Sequence, residues 1–136
     1  MIEINNLSGK RIDKNLLATA AKITIKGEGS KIKDLSVALI APSEMARLNE
    51  KYRKKKGPTD VLSFGGVGDE IEEVVICPEQ VQANALESGE SFRRELARVL
   101  VHGILHLSGY DHEKKKSEAE IMFALQEKYL SQIISK

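Results

Sequence analysis

Cysteine and aromatic residues are scarce in this chain, and neither sign of charge is in large excess. The single cysteine, Cys77, cannot form an intramolecular disulfide, and no apolar leader or long apolar run is present, so we expect a cytoplasmic protein. Aromatic residues make up 4% of the chain, which argues against a surface that binds single strands by stacking their bases. A formal net charge of +1 also argues against a polycation that coats nucleic acid indiscriminately.

Positive charge is nevertheless concentrated in one segment, KYRKKK, at residues 51–56. A cluster of this kind can contact phosphate groups. Lysines at the end of a helix are equally often a solvated face that complements the helix dipole. Both interpretations are compatible with the sequence. The cations concerned are Lys51, Arg53, Lys54, Lys55 and Lys56.

The length of 136 residues fits one domain, so we predict a single domain over residues 1–136. Strands alternate with helices in the predicted order, which indicates an α+β fold with a small mixed sheet. Strands are predicted at residues 1–7, as an edge strand, and at residues 35–41, 61–64 and 73–77. The last two form a predicted pair, for which an antiparallel arrangement is one interpretation. Helices are predicted from Asp13 to about Ile25, after Ser43, from Pro78 to Gly89, after Ser91 and after His112. Asp13, Ser43 and Ser91 are the predicted N-caps of their helices.

All histidines of the chain lie in one segment, HGILHLSGYDH, at residues 102–112. His102 and His106 are four residues apart on an apolar helix, so both imidazoles leave the same face. Gly109 allows a sharp turn, after which His112 can return as a third ligand. Three imidazoles suit Zn²⁺ and leave a fourth position for water, which is typical of a catalytic site. The alternative is that these are structural histidines at a helix end.

The spacing of these histidines and of Gly109 equals that of the metzincin signature HExxHxxGxxH. Residue 103, however, is glycine, so the carboxylate that serves as general base in those proteases is missing. Peptide hydrolysis by that mechanism is therefore not expected. Because glycine is unfavourable inside a helix, Gly103 also predicts close backbone packing.

The same helix carries a polar stripe along an otherwise apolar surface. A buried polar stripe is costly unless its groups are paired, so we predict that this one lines a cleft. Its members are Glu95, Arg98, His102 and His106.

Two separate motifs resemble the YbeY family of bacterial rRNA maturation factors, described as metal-dependent, single-strand-specific endoribonucleases. HGILHLSGYDH resembles the family signature HGxLHLxGYDH, and LNEKYRKKKGPTDVLSF at 48–64 resembles LNxxYRxxxxPTDVLSF. VVICPE at 74–79 resembles the strand that follows. The chain departs from the family at Gly65, commonly a proline, and at residues 72–73, commonly a Gly-acid pair, which leaves the conformation of the 65–73 loop open.

The resemblance implies a zinc-dependent endoribonuclease acting in 16S rRNA 3′ end processing and in ribosome assembly or quality control. By matching position, His102, His106 and His112 become catalytic ligands of one Zn²⁺ per chain, and Arg53 becomes a catalytic cation in the cleft. The implied partners are a single-stranded rRNA precursor, small-subunit proteins and an assembly GTPase. In this hypothesis Arg53 and the neighbouring lysines hold the RNA strand. Whether metal-activated water or the RNA 2′-OH attacks is left open.

For most of the other residues near these motifs, the sequence is compatible with two different roles. Arg53 can hold a scissile phosphate with its planar donor fork, or it is one more solvated cation. Asp60 and Ser63 could orient Arg53 or a ligand, although Asp60 equally suits an Asx-type turn. Asp111 could hydrogen-bond a histidine or cap the turn, and Cys77 is interpreted as a buried strand thiol.

Two further functions are compatible with the residues. The chain could be a ribosome-assembly factor that binds pre-rRNA and small-subunit proteins, with a structural or weakly catalytic zinc site; the missing base favours this, and the open coordination position argues against it. A zinc hydrolase acting on a small molecule or peptide is disfavoured by Gly103 and by the resemblance.

Overall fold

The computed structural model describes residues 1–65, 71–110 and 116–134. These residues form an α+β fold of four strands and five helices, as predicted. The elements in chain order are β1 (Ile2–Asn6), α1 (Lys14–Glu28), β2 (Leu35–Leu39), α2 (Pro42–Arg53), β3 (Val61–Phe64), β4 (Glu72–Ile76), α3 (Pro78–Ser88), α4 (Phe92–Leu107) and α5 (Lys116–Ile133).

The four strands form one mixed sheet in the order β1-β2-β4-β3. β1 lies parallel to β2 and β2 lies parallel to β4, whereas β3 runs antiparallel to β4. In that last pair Val61 lies opposite Ile76 and Phe64 lies opposite Glu73, so the antiparallel interpretation is confirmed. β1 lies at an edge, also as predicted, and β4 connects β3 to the rest of the sheet.

Alternate residues of the strands enter two different cores, because successive side chains point to opposite faces of a sheet. Val74 and Ile76 of β4 pack on the face covered by α1 and α4. Val75 and Cys77 pack on the other face, where Met45 of α2 lies. α4 runs through the middle of the molecule and also packs against α3 and α5. Among the described residues, no helix has the length and apolar character needed to cross a membrane.

The helix boundaries follow capping chemistry, with two differences from prediction. Asp13 and Ser91 cap α1 and α4 by accepting hydrogen bonds from the third residue beyond each of them, as predicted. The capping role predicted for Ser43 is wrong, since α2 begins at Pro42, whose fixed φ suits the first helical position. α1 runs through Gly27 to Glu28, because the left-handed residue that ends it is Gly29.

Gly103 lies where α4 packs directly against the sheet, so the predicted close packing is confirmed. A Cβ atom at this position would lie 2.9 Å from Val74 Cγ1 and 3.1 Å from Ser63 Oγ. The Ser63 hydroxyl donates a hydrogen bond to the Gly103 carbonyl oxygen over 3.1 Å. Glycine at 103 thus sets the spacing between α4 and the strands β3 and β4.

Gly103→Ala is therefore expected to destabilise the protein, although alanine is the better helix former. Overpacking of a well-packed core typically costs about 1 to 3 kcal/mol, which outweighs the gain of about 1 kcal/mol in helix propensity. Urea unfolding measures the difference. Combining it with Val74→Ala should cost less than the sum of the two single changes, because Val74 supplies the clashing methyl groups. A Gly103→Ala variant as stable as the wild type would contradict this packing.

Candidate active-site cleft

A cleft of about 440 Å³ opens between the end of α2, strand β3 and the face of α4. It brings together three of the residues predicted to be catalytic, namely Arg53, His102 and His106. These residues come from two helices that are far apart in the chain. The other lining residues are Tyr52, Thr59, Asp60, Val61, Leu62, Ser63 and Phe64.

His102 and His106 lie on one face of α4, as their spacing predicted. Their ring centroids are 5.0 Å apart and the ring planes are inclined by 66°. Both side chains are half-buried at the cleft. His112 and Asp111 lie outside the described residues. Within the described part of the chain, no group of three His, Cys, Asp or Glu side chains is placed to hold a metal.

The first of these histidines contacts a residue that sequence reasoning missed. Gln126 of α5 lies 24 positions further along the chain, and its side-chain amide oxygen is within hydrogen-bond distance of His102 Nδ1. Gln126 is 4% exposed. The sequence could have indicated this residue, because Gln126 is polar and lies on the apolar helix face that Met122, Tyr129 and Leu130 define.

Arg53 is the last residue of α2 and its side chain is exposed at the rim of the cleft. The next residue, Lys54, has a left-handed conformation with a φ of 59°, and it ends the helix. Asn49 fixes the segment that follows by donating a hydrogen bond from Nδ2 to the Gly57 carbonyl oxygen over 2.9 Å. From the segment 51–56, Tyr52 and Arg53 line the cleft, whereas the four lysines are exposed and are not among its lining residues.

The wall of the cleft that β3 forms is tied to α3 and α4 by hydrogen bonds. Ser63 of β3 bonds to α4 through the Gly103 carbonyl. The Asp60 carboxylate accepts hydrogen bonds from Thr59 Oγ1 and from Asn84 Nδ2 of α3, each over 3.3 Å. Both side chains therefore anchor β3 and the residues that precede it.

The polar stripe on α4 does not lie in the cleft along its whole length, so that prediction was wrong for its first half. His102 and His106 line the cleft, but Glu95 is 1% exposed and lies in the protein interior. Arg98 Nε donates to Glu95 Oε1 over 3.0 Å, and a second guanidinium nitrogen contacts Oε2. This two-point ion pair offsets the cost of burying the carboxylate.

The turn after α4 is anchored to α1. Gly109 has a φ of 110°, so the predicted glycine turn is confirmed. The hydroxyl of Tyr110 donates to Glu28 Oε1 over 3.1 Å, and the hydroxyl of Tyr129 donates to Glu28 Oε2. Burial, followed by these bonds to the carboxylate, raises the pKa of both tyrosines, and most strongly that of Tyr129. Glu28 thus holds the residue that immediately precedes position 111.

Cys77 is buried between β4 and α3, as interpreted from the sequence. Burial raises the pKa of its thiol, which favours the neutral form over the thiolate that binds metals. The described structure therefore gives Cys77 a packing role.

The loop in which the chain departs from the resemblance begins at Gly65, and residues 66–70 lie outside the described part of the structure. Gly65 has a φ of 123°, which proline cannot adopt because its ring fixes φ near −65°. A Cβ atom there would also lie 3.0 Å from Glu72 Cγ. The glycine at 65 therefore gives this chain a backbone path that a proline at the same position does not allow.

Comparisons with known proteins place these features in a family. The family model described as Endoribonuclease YbeY matches residues 3–134. Endoribonuclease YbeY of Carboxydothermus hydrogenoformans is 41% identical over 139 residues, covering 96% of each chain, and that of Thermotoga neapolitana is 38% identical over 125 residues, covering 92% of this chain and 83% of the relative. A solution structure from Thermotoga maritima matches with a TM-score of 0.70 and 35% identity, covering 98% and 89% of the two chains. The chain therefore belongs to the Endoribonuclease YbeY family.

Proposed function

We propose that this protein is a zinc-dependent endoribonuclease that cleaves single-stranded RNA during rRNA maturation, including the 3′ end of 16S rRNA. The observation that carries the proposal is the convergence of Arg53, His102 and His106 on one cleft. A phosphate-binding cation and two imidazoles from one helix face are groups that metal-assisted phosphodiester hydrolysis can use. The family membership supports endoribonuclease activity.

The residues present fit a zinc ion. His102 and His106 face the same cleft with ring centroids 5.0 Å apart, and the contact with Gln126 can fix the orientation of one ring. We infer that His102, His106 and His112 would hold the ion. When bound, it would acidify a water molecule and polarise a phosphoryl oxygen.

Arg53 has a separate part in this proposal. Its guanidinium group is exposed at the cleft rim, where it can donate two hydrogen bonds to a non-bridging pair of phosphate oxygens. Such bonds strengthen as negative charge develops on the phosphate in the transition state. The exposed lysines of the same segment, Lys51, Lys54, Lys55 and Lys56, would contact neighbouring phosphates of the strand.

The nucleophile is either water or the 2′-OH of the RNA itself. Among the described residues that line the cleft, Asp60 is the one carboxylate, and it already accepts hydrogen bonds from Thr59 and Asn84. We therefore assign no protein side chain as general base. The end groups of the products distinguish the two routes, because attack by the 2′-OH leaves a cyclic phosphate.

The wider role follows from the substrate. An enzyme that trims pre-rRNA would act in the cytoplasm and meet the assembling small subunit, so small-subunit proteins and an assembly GTPase are the partners we propose. Participation in ribosome quality control belongs to the same proposal.

The hydrogen bonds that Asp60 already accepts favour a second function. In this function the protein is an assembly factor that binds pre-rRNA without cutting it. If Asp60 serves only to anchor the cleft wall, the cleft could serve binding alone, with a structural or weakly catalytic zinc ion. The two functions differ in whether the RNA chain is broken.

The deciding experiment incubates purified, metal-quantified protein with a single-stranded rRNA precursor and with the same sequence annealed to its complement. We expect cleavage of the single strand, loss of cleavage with a chelator and recovery with zinc. Zinc-loaded protein that binds the precursor but leaves it intact would favour the assembly factor. Protein that neither binds nor cuts the precursor would contradict both functions.

A further inference from the structure

Gln126 is a buried polar residue on the apolar face of α5. It is 4% exposed, and its neighbours on that face, Met122, Tyr129 and Leu130, are each at most 1% exposed. Transfer of an amide from water into such surroundings is unfavourable unless hydrogen bonds replace those to water. The described contact of this amide is with His102 of α4, across the interface between the two helices.

The chemistry of that contact determines where the imidazole carries its proton. The amide oxygen of Gln126 faces His102 Nδ1, and an amide oxygen can only accept a hydrogen bond. Nδ1 must therefore carry the hydrogen in the neutral ring. The other ring nitrogen, Nε2, then keeps its lone pair, and His102 lines the cleft. A metal-binding histidine needs such an unprotonated nitrogen.

We infer that Gln126 is a positioning residue that holds His102 as the Nδ1–H tautomer, so that Nε2 can bind the metal. This inference rests on the proposed zinc site, although the tautomer itself can be observed without zinc. An uncharged amide suits the position, because it orients the ring without adding a buried negative charge. Partners of this kind typically contribute 10- to 100-fold to metal affinity.

The test uses three variants of α5. Gln126→Met has a similar shape but no oxygen acceptor, Gln126→Glu restores an acceptor, and Gln132→Met changes an exposed glutamine of the same helix. Zinc affinity is measured by competition with a chelator, and folding by circular dichroism. Nitrogen-15 NMR of the imidazoles in zinc-free protein reports the tautomer of His102.

We expect Gln126→Met to bind zinc about 10- to 100-fold more weakly than the wild type. The zinc affinities of Gln132→Met and of Gln126→Glu should equal that of the wild type. In zinc-free protein, His102 should be protonated at Nδ1 in the wild type and lose that preference in Gln126→Met. A folded Gln126→Met variant with wild-type affinity would overturn the inference. So would a wild type protonated at Nε2, which would mean that the amide nitrogen donates to Nδ1.

The results also separate this inference from the proposed function. A wild type that binds no zinc would contradict the zinc site, while its NMR spectra still decide whether Gln126 sets the tautomer. Equal zinc binding by the wild type and Gln126→Met would overturn the inference and leave the zinc site intact. If Gln126→Met does not fold, two other results decide the inference. The wild type should carry its proton at Nδ1 of His102, and Gln126→Glu should bind zinc as tightly as the wild type.

Discussion

Arg53→Ala is expected to lower the rate of single-stranded RNA cleavage by about 30- to 1,000-fold, while fold and zinc content stay unchanged. The loss corresponds to about 2 to 4 kcal/mol of transition-state stabilisation, typical for removal of a group that binds developing charge. Stability should change little, since the Arg53 side chain is exposed. Single-turnover kinetics at saturating protein measure the chemical step apart from RNA binding.

Lys56→Ala is the matched control, because Lys56 is an exposed cation of the same segment that does not line the cleft. It should weaken RNA binding slightly and leave the saturated rate unchanged. Arg53→Lys should recover only part of the rate, since an ammonium group lacks the planar donor fork. A zinc-loaded Arg53→Ala variant that cleaves at the wild-type rate would show that Arg53 belongs to the solvated cations.

His106→Ala is expected to abolish stoichiometric zinc binding and RNA cleavage together. Loss of one of three imidazole ligands leaves too few protein donors for a tight site. Elemental analysis after purification without chelator gives the zinc content, for which we expect one ion per wild-type chain. Zinc should also raise the melting temperature of the wild type, because a ligand that binds only the folded state stabilises it.

The control for His106→Ala is wild-type protein from which zinc has been removed. The two should melt at similar temperatures, and added zinc should raise only the melting temperature of the wild type. Retention of one equivalent of zinc by His106→Ala would contradict the assignment of this histidine as a ligand.

The sequence predicted those features that depend on residues close together in the chain. Hydrophobic periodicity and helix caps such as Asp13 and Ser91 determine the elements, and the spacing of His102 and His106 places both on one face of a helix. Ser43 failed as a cap because Pro42 at the adjacent position suits the start of a helix better.

What the sequence did not predict depends on contacts between distant residues. The Ser63 hydroxyl meets the Gly103 carbonyl across 40 positions, and Gln126 meets His102 across 24. No local pattern indicates which buried polar residue will find which partner. Glu95 shows the same limit, because its ion pair with Arg98 lets it lie in the interior rather than in the cleft.

The position of β4 in the sheet has a consequence for synthesis of the protein. Among the described strands, β3, which forms one wall of the cleft, pairs only with β4, and another wall comes from α4, against which α5 packs. Chains emerge from the ribosome N-terminus first, and contacts between distant residues form late in folding. We therefore expect the cleft to remain incomplete until α5 has been made. A nascent chain that lies beside ribosomal RNA throughout translation would acquire the capacity to cut RNA only near the end of that process.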